Sequence, residues 1–119
     1  MRNKEFSKEL EKRTKAFTIL IIRLSASLPK TTEARVVRNQ ITKSGSSIGA
    51  NYREANRSRS KADFYHKLKI CESEASETKY WLEIIEELGW GNFGRFNELY
   101  KESLELLALF TSVSNNLKS

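Results

Sequence analysis

The sequence is poor in the residues that reinforce or interrupt a small fold. Its 119 residues include one cysteine, one proline and one histidine. A single cysteine excludes an internal disulfide and is typical of a reducing compartment, so we expect a cytoplasmic protein. The single proline, Pro29, leaves room for long uninterrupted helices. No apolar run approaches the roughly 20 residues that a membrane span needs, and the N-terminus lacks the apolar centre of a signal peptide.

Residues for the common catalytic and metal sites are scarce as well. A di-iron centre in a helical bundle needs two Glu-x-x-His pairs, and His66 is the one histidine. Cys71 lies on an apolar helix face without a histidine partner, which favours packing over nucleophilic chemistry. Glu74 and Glu77 are expected to form partly buried ion pairs with arginines of the preceding helix. We therefore predict a protein that is not an enzyme and has no metal or cofactor.

Apolar residues recur at steps of three and four along the whole chain, which predicts helices and no strands. Four helices are expected, over residues 3–27, 32–55, 61–88 and 93–116. Thr31 (or Thr32) and Ser60 are candidate N-caps, and Gly89 is suited to the position after the third helix. Because the links are short, we predict one domain over residues 1–119, an all-α, antiparallel up-down-up-down four-helix bundle.

The third helix carries the clearest periodicity, a seam with a seven-residue repeat. Its members are Phe64, Leu68, Cys71, Ala75, Thr78, Leu82 and Ile85. Upstream, Gly45 and Gly49 lie in a serine-rich helix surface with little side-chain bulk. Glycines cost helix stability, so we expect a neighbouring helix to approach closely there.

A second apolar stripe flanks the seam of the third helix. It consists of Ile70, Trp81, Ile84 and Leu88. The apolar arc is wider than one antiparallel contact requires. It fits either an ordinary buried helix or a helix that is part core and part subunit contact, and we predict an oligomer interface at the stripe.

Charge is unevenly distributed along the chain. Residues 30–69 carry ten Lys and Arg against three acidic residues, whereas residues 72–119 carry four against nine. A basic half of this kind attracts polyanions, although it can equally be a solvated face or pair with an acidic half. No base-reading helix is recognisable, so we expect contacts to the phosphate backbone. The predicted nucleic-acid-binding residues are Arg38, Lys43, Arg53, Arg57, Arg59, Lys61 and Lys67. If replacing the cluster at residues 57–61 does not change binding, the next candidates are Lys4, Lys8, Lys12 and Arg13 of the first helix.

A motif in the second and third helices resembles a known bacterial family. It runs Ser47-Ile48-Gly49-Ala50-Asn51-Tyr52-Arg53-Glu54-Ala55 and continues with Arg57, Ser60, Asp63-Phe64 and residues 74–78. The sequence is similar to the four helix bundle proteins encoded in intervening sequences of 23S ribosomal RNA genes. The residues that carry the structural motif are Gly45, Gly49, Asn51, Glu54, Ser60, Asp63, Phe64 and Glu77.

That family is in turn similar to the accessory variability protein of diversity-generating retroelements. The resemblance implies a homopentamer with a basic surface that binds nucleic acid, and in the retroelement case a reverse transcriptase. We therefore predict an oligomeric bundle that binds RNA or DNA through backbone charge, as an accessory to a reverse transcriptase or a ribosomal RNA insert. The alternative is a protein-only scaffold that binds an acidic protein partner.

Overall fold

In a computed structural model, which describes residues 4–117, this part of the chain forms four α-helices and no strand. They are α1 (Lys4–Ser27), α2 (Thr32–Ala55), α3 (Lys61–Glu87) and α4 (Phe96–Leu117). The all-α prediction is confirmed, and the bounds of α2 agree with those expected from the sequence. Asn3, the predicted start of the first helix, lies outside the described residues. None of these helices combines the length and apolarity that a membrane crossing requires.

Consecutive helices run antiparallel, which is shown by contacts between the start of one helix and the end of the next. Between α1 and α2, the Asn56 amide donates to Glu11 at 2.7 Å, and the Ser25 hydroxyl donates to the Arg38 carbonyl at 3.4 Å. Contacts of α3 with α2 and with α4 follow the same pattern. Helix α4 also packs against α1, which closes a bundle of 44 × 23 × 20 Å. The predicted up-down-up-down bundle is confirmed.

Capping residues set the helix ends where the sequence predicts them. The Thr31 hydroxyl accepts the Ala34 N–H at 3.1 Å, and the Ser60 hydroxyl accepts the Asp63 N–H at 3.0 Å. Each satisfies an N–H that has no partner inside its helix. Gly89 has a φ of +77°, the left-handed conformation that glycine adopts without steric cost.

The start of α4 is the exception among the predicted ends. The helix begins at Phe96, three residues after the predicted start at Phe93. The Phe96 N–H donates to the Phe93 carbonyl at 2.9 Å, so the chain turns once before the helix begins. Phe93 and Trp90 pack against the core from this link. Their apolar character therefore indicates core packing and not helix.

Helix α3 buries the predicted seam. Its buried members are Leu68, Cys71, Ala75, Thr78, Leu82 and Ile85. Phe64, at the start of the seam, is half-buried and packs against the core. The buried hydroxyl of Thr78 lies 2.8 Å from the Glu74 carbonyl and 3.0 Å from the Ser44 hydroxyl, so it has partners within the core.

The two glycines of α2 face α1. A Cβ atom added at Gly45 would lie 2.8 Å from Ile21 Cγ2, and one added at Gly49 would lie 3.2 Å from Thr14 Cβ and 3.3 Å from its carbonyl oxygen. A side chain at either position would force α1 and α2 apart. The close approach expected at these glycines therefore occurs between the first two helices.

Candidate nucleic-acid interface

The link between α2 and α3 has a defined shape and is attached to α1. The Arg57 N–H donates to the Glu54 carbonyl at 3.0 Å, which continues the helical turn one step beyond α2. The side-chain amide of Asn56 donates to Glu11 Oε2 at 2.7 Å. The link and the start of α1 therefore share one end of the bundle, which we call the link end.

Four predicted binding residues lie together at the link end. Arg53, Arg57, Arg59 and Lys61 are all exposed, and none has a carboxylate within ion-pair distance in the described part of the chain. The guanidinium of Arg57 lies 3.4 Å from the Arg53 carbonyl. The charge of these side chains is thus available to a ligand.

The other three predicted residues are paired or lie away from the link end. Arg38 donates to the Pro29 carbonyl at the opposite end of the bundle, about 22 Å along the axis of α2 from Arg53. Lys67 forms an ion pair with Asp63 at 3.0 Å. Lys43 is exposed near the middle of α2, within electrostatic reach of Glu74. These residues do not extend the link-end cluster.

Helix α1 contributes cations from the link end to the middle of the helix. Lys8, Lys12 and Lys15 are exposed and, together with Arg53, line a groove between α1 and α2. Lys15 is absent from the predicted binding set. The signal for it is in the sequence: the opening turns of α1 are basic, and an antiparallel hairpin places them beside the end of α2.

The floor of this groove is made of small residues. It consists of Thr14, Thr18, Ser46, Gly49 and Ala50. The glycine lets α1 approach closely, so the cations of the two helices stand on either side of a narrow depression. We call it the α1–α2 groove.

Carboxylates, among them Glu11, Glu54 and Asp63, moderate the positive charge of the link end. Glu11 lines the α1–α2 groove and accepts the hydrogen bond from Asn56. Asp63 lies in the first turn of α3, where the hydrogen bond from Lys67 holds the pKa of its carboxyl below its usual range. The interface is therefore basic but not uniformly so.

Arg13 faces the other side of α1 and is fully engaged there. Its Nε and Nη2 atoms each lie 2.8 Å from the carboxylate of Glu102, and Nη2 also contacts Glu105. The Glu102 hydrogen bonds raise the pKa of the guanidinium. This pairing fixes α1 to α4, so Arg13 is a structural residue and is not free to bind a phosphate.

The remaining acidic candidates are not paired as expected. Within the described residues neither Glu74 nor Glu77 forms an ion pair, so the predicted pairing with arginines of α2 is wrong. Glu77 accepts the indole N–H of Trp81 at 3.2 Å. Burial raises the pKa of Glu74, and the charge of Glu77 adds to the shift. Glu77 is exposed and has its partner on its own helix, whereas Glu74 is half-buried and interacts electrostatically with Lys43 of α2.

The lone cysteine is buried and the described residues hold no cluster of metal ligands. Burial raises the pKa of Cys71 to about 12, so its thiol stays protonated at neutral pH; it lies 3.5 Å from the Ile48 carbonyl. No group of three or more potential ligands is placed to hold a metal ion in residues 4–117. His66, the one histidine of the sequence, is exposed on α3.

The second stripe of α3 is only partly covered. Ile70, Trp81 and Ile84 are half-buried, and Leu88 is 52% exposed. The ring of Trp81 packs edge-on against Tyr80, which is 54% exposed. The stripe therefore contributes to the bundle and also presents apolar surface on its outer side.

Comparison with known proteins identifies the family of this chain. Residues 7–112 match the model of the 23S rRNA-intervening sequence proteins. The crystal structure of a protein of unknown function from the S23 ribosomal protein family of Bacteroides thetaiotaomicron is 33% identical, with a TM-score of 0.82 over 92% of this chain and 97% of that one. No curated protein sequence matches the chain. The chain belongs to the family of 23S rRNA-intervening sequence proteins.

Proposed function

We propose that this protein binds nucleic acid through the phosphate backbone, with the link end as its contact surface. One observation carries the proposal. Seven exposed cations extend from the link end along the α1–α2 groove, and none is paired with a carboxylate in the described chain. They are Lys8, Lys12, Lys15, Arg53, Arg57, Arg59 and Lys61.

The placement of these cations suits a polyanion better than a small anion. They are spread over α1, the end of α2, the link and the first residue of α3, and do not converge on one point. A phosphate backbone neutralises such a surface charge by charge and releases counterions at each one. Phosphate contacts carry no base information, so the expected binding is independent of sequence.

The salt dependence of binding tests the proposal. Fluorescence anisotropy at several salt concentrations gives the slope of log K against log salt, which falls by about 0.9 for each phosphate neutralised on duplex DNA. The triple variant Arg57→Ala, Arg59→Ala, Lys61→Ala is expected to flatten this slope by about 0.9 for every phosphate that is no longer neutralised. The affinity of this variant is expected to fall equally for nucleic acids of unrelated sequence.

A matched variant controls for the reduction in net charge. Arg23→Ala, Arg35→Ala, Lys101→Ala removes three exposed cations from other parts of the described surface. It is expected to change the slope much less than the link variant. Equal slopes for the wild type and the link variant, with unchanged melting curves, would remove the cluster at the link from the binding site.

We also propose that the protein is a homo-oligomer in which the second stripe of α3 is covered. The partly exposed Trp81 and the exposed Leu88 support a subunit contact, because burying such side chains stabilises an assembly. The family resemblance supplies the number five. Opposite charge in the two halves of the chain favours a head-to-tail contact, which closes into a ring.

Light scattering after size exclusion tests the assembly. The expected mass is several times the 13.8 kDa of one chain. The variant Trp81→Glu, Leu88→Glu is expected to yield monomers, whereas Leu104→Glu, which changes an exposed apolar residue of α4, is expected to leave the assembly intact. A wild-type monomer at micromolar concentration would contradict the proposal.

A second candidate function is a scaffold that binds only protein. The acidic excess of residues 72–119 supports it, because an acidic partner or the acidic half of another copy fits the link end as a polyanion does. Failure to bind nucleic acid at low salt, with an intact oligomer, would favour this candidate. A reverse transcriptase as partner rests on the resemblance and stays a prediction.

A further inference from the structure

We infer that the α1–α2 groove receives one sugar–phosphate strand of a duplex, and that the protein therefore prefers double-stranded over single-stranded nucleic acid. This inference rests on the proposed function and specifies its ligand. It concerns the three lysines of α1 as much as the arginines of α2. The groove, and not the link alone, is the main binding surface.

The first argument is the arrangement of charge around the groove. Lys8, Lys12 and Lys15 follow one another along α1, over about 10 Å of helix axis, and Arg53 stands on the opposite wall. The close packing at Gly49 keeps the two walls near each other. A strand that lies along the depression is flanked by cations on both sides, which a flat basic patch does not provide.

The second argument is the hydrogen bonding of the groove floor. The hydroxyl groups there are occupied by backbone carbonyls of their own helices. Thr14 bonds to the Leu10 carbonyl at 2.9 Å, and Thr18 bonds to the Thr14 carbonyl at 3.1 Å. Ser46 lies 3.3 Å from the Lys43 carbonyl. The floor therefore offers few donors for base edges, so the groove recognises the backbone and not the bases.

The third argument is the lack of a stacking surface. Proteins that hold single strands stack the bases on aromatic rings, and each stacked base contributes about 1–3 kcal/mol. None of the described residues that line the α1–α2 groove is aromatic. The exposed ring of Tyr80 belongs to α3. A duplex keeps its bases stacked on one another and loses nothing here, whereas a single strand would leave them in water.

Anisotropy titrations with paired probes test the preference. The probes are a short mixed-sequence DNA duplex, the RNA duplex of the same sequence and an oligothymidylate of equal length, all in the same buffer. We expect the duplexes to bind about tenfold more tightly than the single strand, because the single strand lacks stacking partners. Either duplex suffices, since the groove reads the phosphate backbone they share.

Two variants locate the binding surface. Lys12→Gln, Lys15→Gln removes two charges from the groove, and Arg23→Gln, Lys101→Gln removes two from the groove between α1 and α4. The first is expected to flatten the duplex salt slope by about 1.8, and the second to leave it nearly unchanged. Ala50→Leu fills the exposed floor without altering charge and is expected to weaken duplex binding, whereas Ala108→Leu on α4 is not.

Each outcome decides the inference. Tighter duplex binding that disappears in Lys12→Gln, Lys15→Gln and in Ala50→Leu supports it. Equal or tighter binding of the oligothymidylate overturns the inference and leaves the proposed function standing. Duplex binding that neither groove variant changes overturns it too and returns the binding surface to the link. Binding of no probe at low salt overturns the proposed function itself.

Discussion

The two flanks of α1 use their cations in opposite ways. On the flank toward α4, Arg13 is held by Glu102 and Glu105, and its charge joins two helices. On the flank toward α2, Lys12 and Lys15 face small residues and no acid of α2. A paired cation stabilises the fold and an unpaired one is left for a ligand. The partner helix, more than the residue type, decides which role a cation on α1 takes.

The largest expected effect comes from opening the flank toward α2. Gly49→Leu places a side chain against the backbone of Thr14, because a Cβ atom added at this position would lie 3.3 Å from the Thr14 carbonyl oxygen. Overpacking of this kind costs about 1–3 kcal/mol, which exceeds the gain of up to about 1 kcal/mol from removing a helix glycine. We expect a lower melting temperature by calorimetry.

The neighbouring position provides the control for that variant. Ala50→Leu introduces the same side chain one residue later, at an exposed site, and is expected to leave the melting temperature nearly unchanged. A Gly49→Leu protein that melts at or above the wild-type temperature would show that α1 and α2 tolerate separation. The account of the close approach would then be wrong.

An intermediate effect is expected from breaking the flank toward α4. Arg13→Gln removes the bidentate contact to Glu102, a partly buried pair, and is expected to cost about 1 kcal/mol of unfolding free energy. Denaturant unfolding measures the change. Arg95→Gln removes an exposed pair with Glu98 and is expected to cost much less, which makes it the matched control.

Arg13→Gln also tests whether the two flanks of α1 differ in ligand binding. If Arg13 acts only within the fold, Arg13→Gln changes duplex affinity no more than Arg95→Gln does. A marked drop in affinity at unchanged stability would assign Arg13 to the ligand, against its pairing with two carboxylates.

The smallest effect is expected at the one acid of the α1–α2 groove. Glu11→Gln keeps an oxygen acceptor for the Asn56 amide and removes a negative charge beside the lysines. Removing the repulsion between the Glu11 carboxylate and the phosphates of the duplex is worth up to about 1 kcal/mol. Duplex affinity is therefore expected to rise by about two- to fivefold. Glu87→Gln, an exposed acid at the other end of α3, is the control. Unchanged affinity in both would place the ligand outside the groove.

Local signals predict the helices well because helix ends depend on neighbouring residues. Thr31, Ser60 and Gly89 satisfy backbone groups within a few residues of themselves, so their roles follow from the sequence alone. The seam of α3 follows from its spacing. The start of α4 does not follow from the local sequence, because Phe93 and Trp90 pack against a core that distant parts of the chain build.

The candidate site is only half predictable for the same reason. The cluster of Arg57, Arg59 and Lys61 is contiguous in sequence and is visible there. The groove depends on which flank of α1 meets Gly49 and which meets Glu102, and charge patterning does not determine that choice. Arg13 and Lys12 are adjacent in sequence, yet packing gives them different surroundings.

The closed ring of helices also has a kinetic consequence. The α1–α4 contact joins the first helix to the last. Every other packed helix pair consists of helices that are consecutive in the chain. Short-range interactions form early and long loops close late, so a fold built mostly from neighbouring helices favours fast folding. The pairing of Arg13 with Glu102 would then be among the last to form and the first to open. Its removal should accelerate unfolding and leave the folding rate almost unchanged.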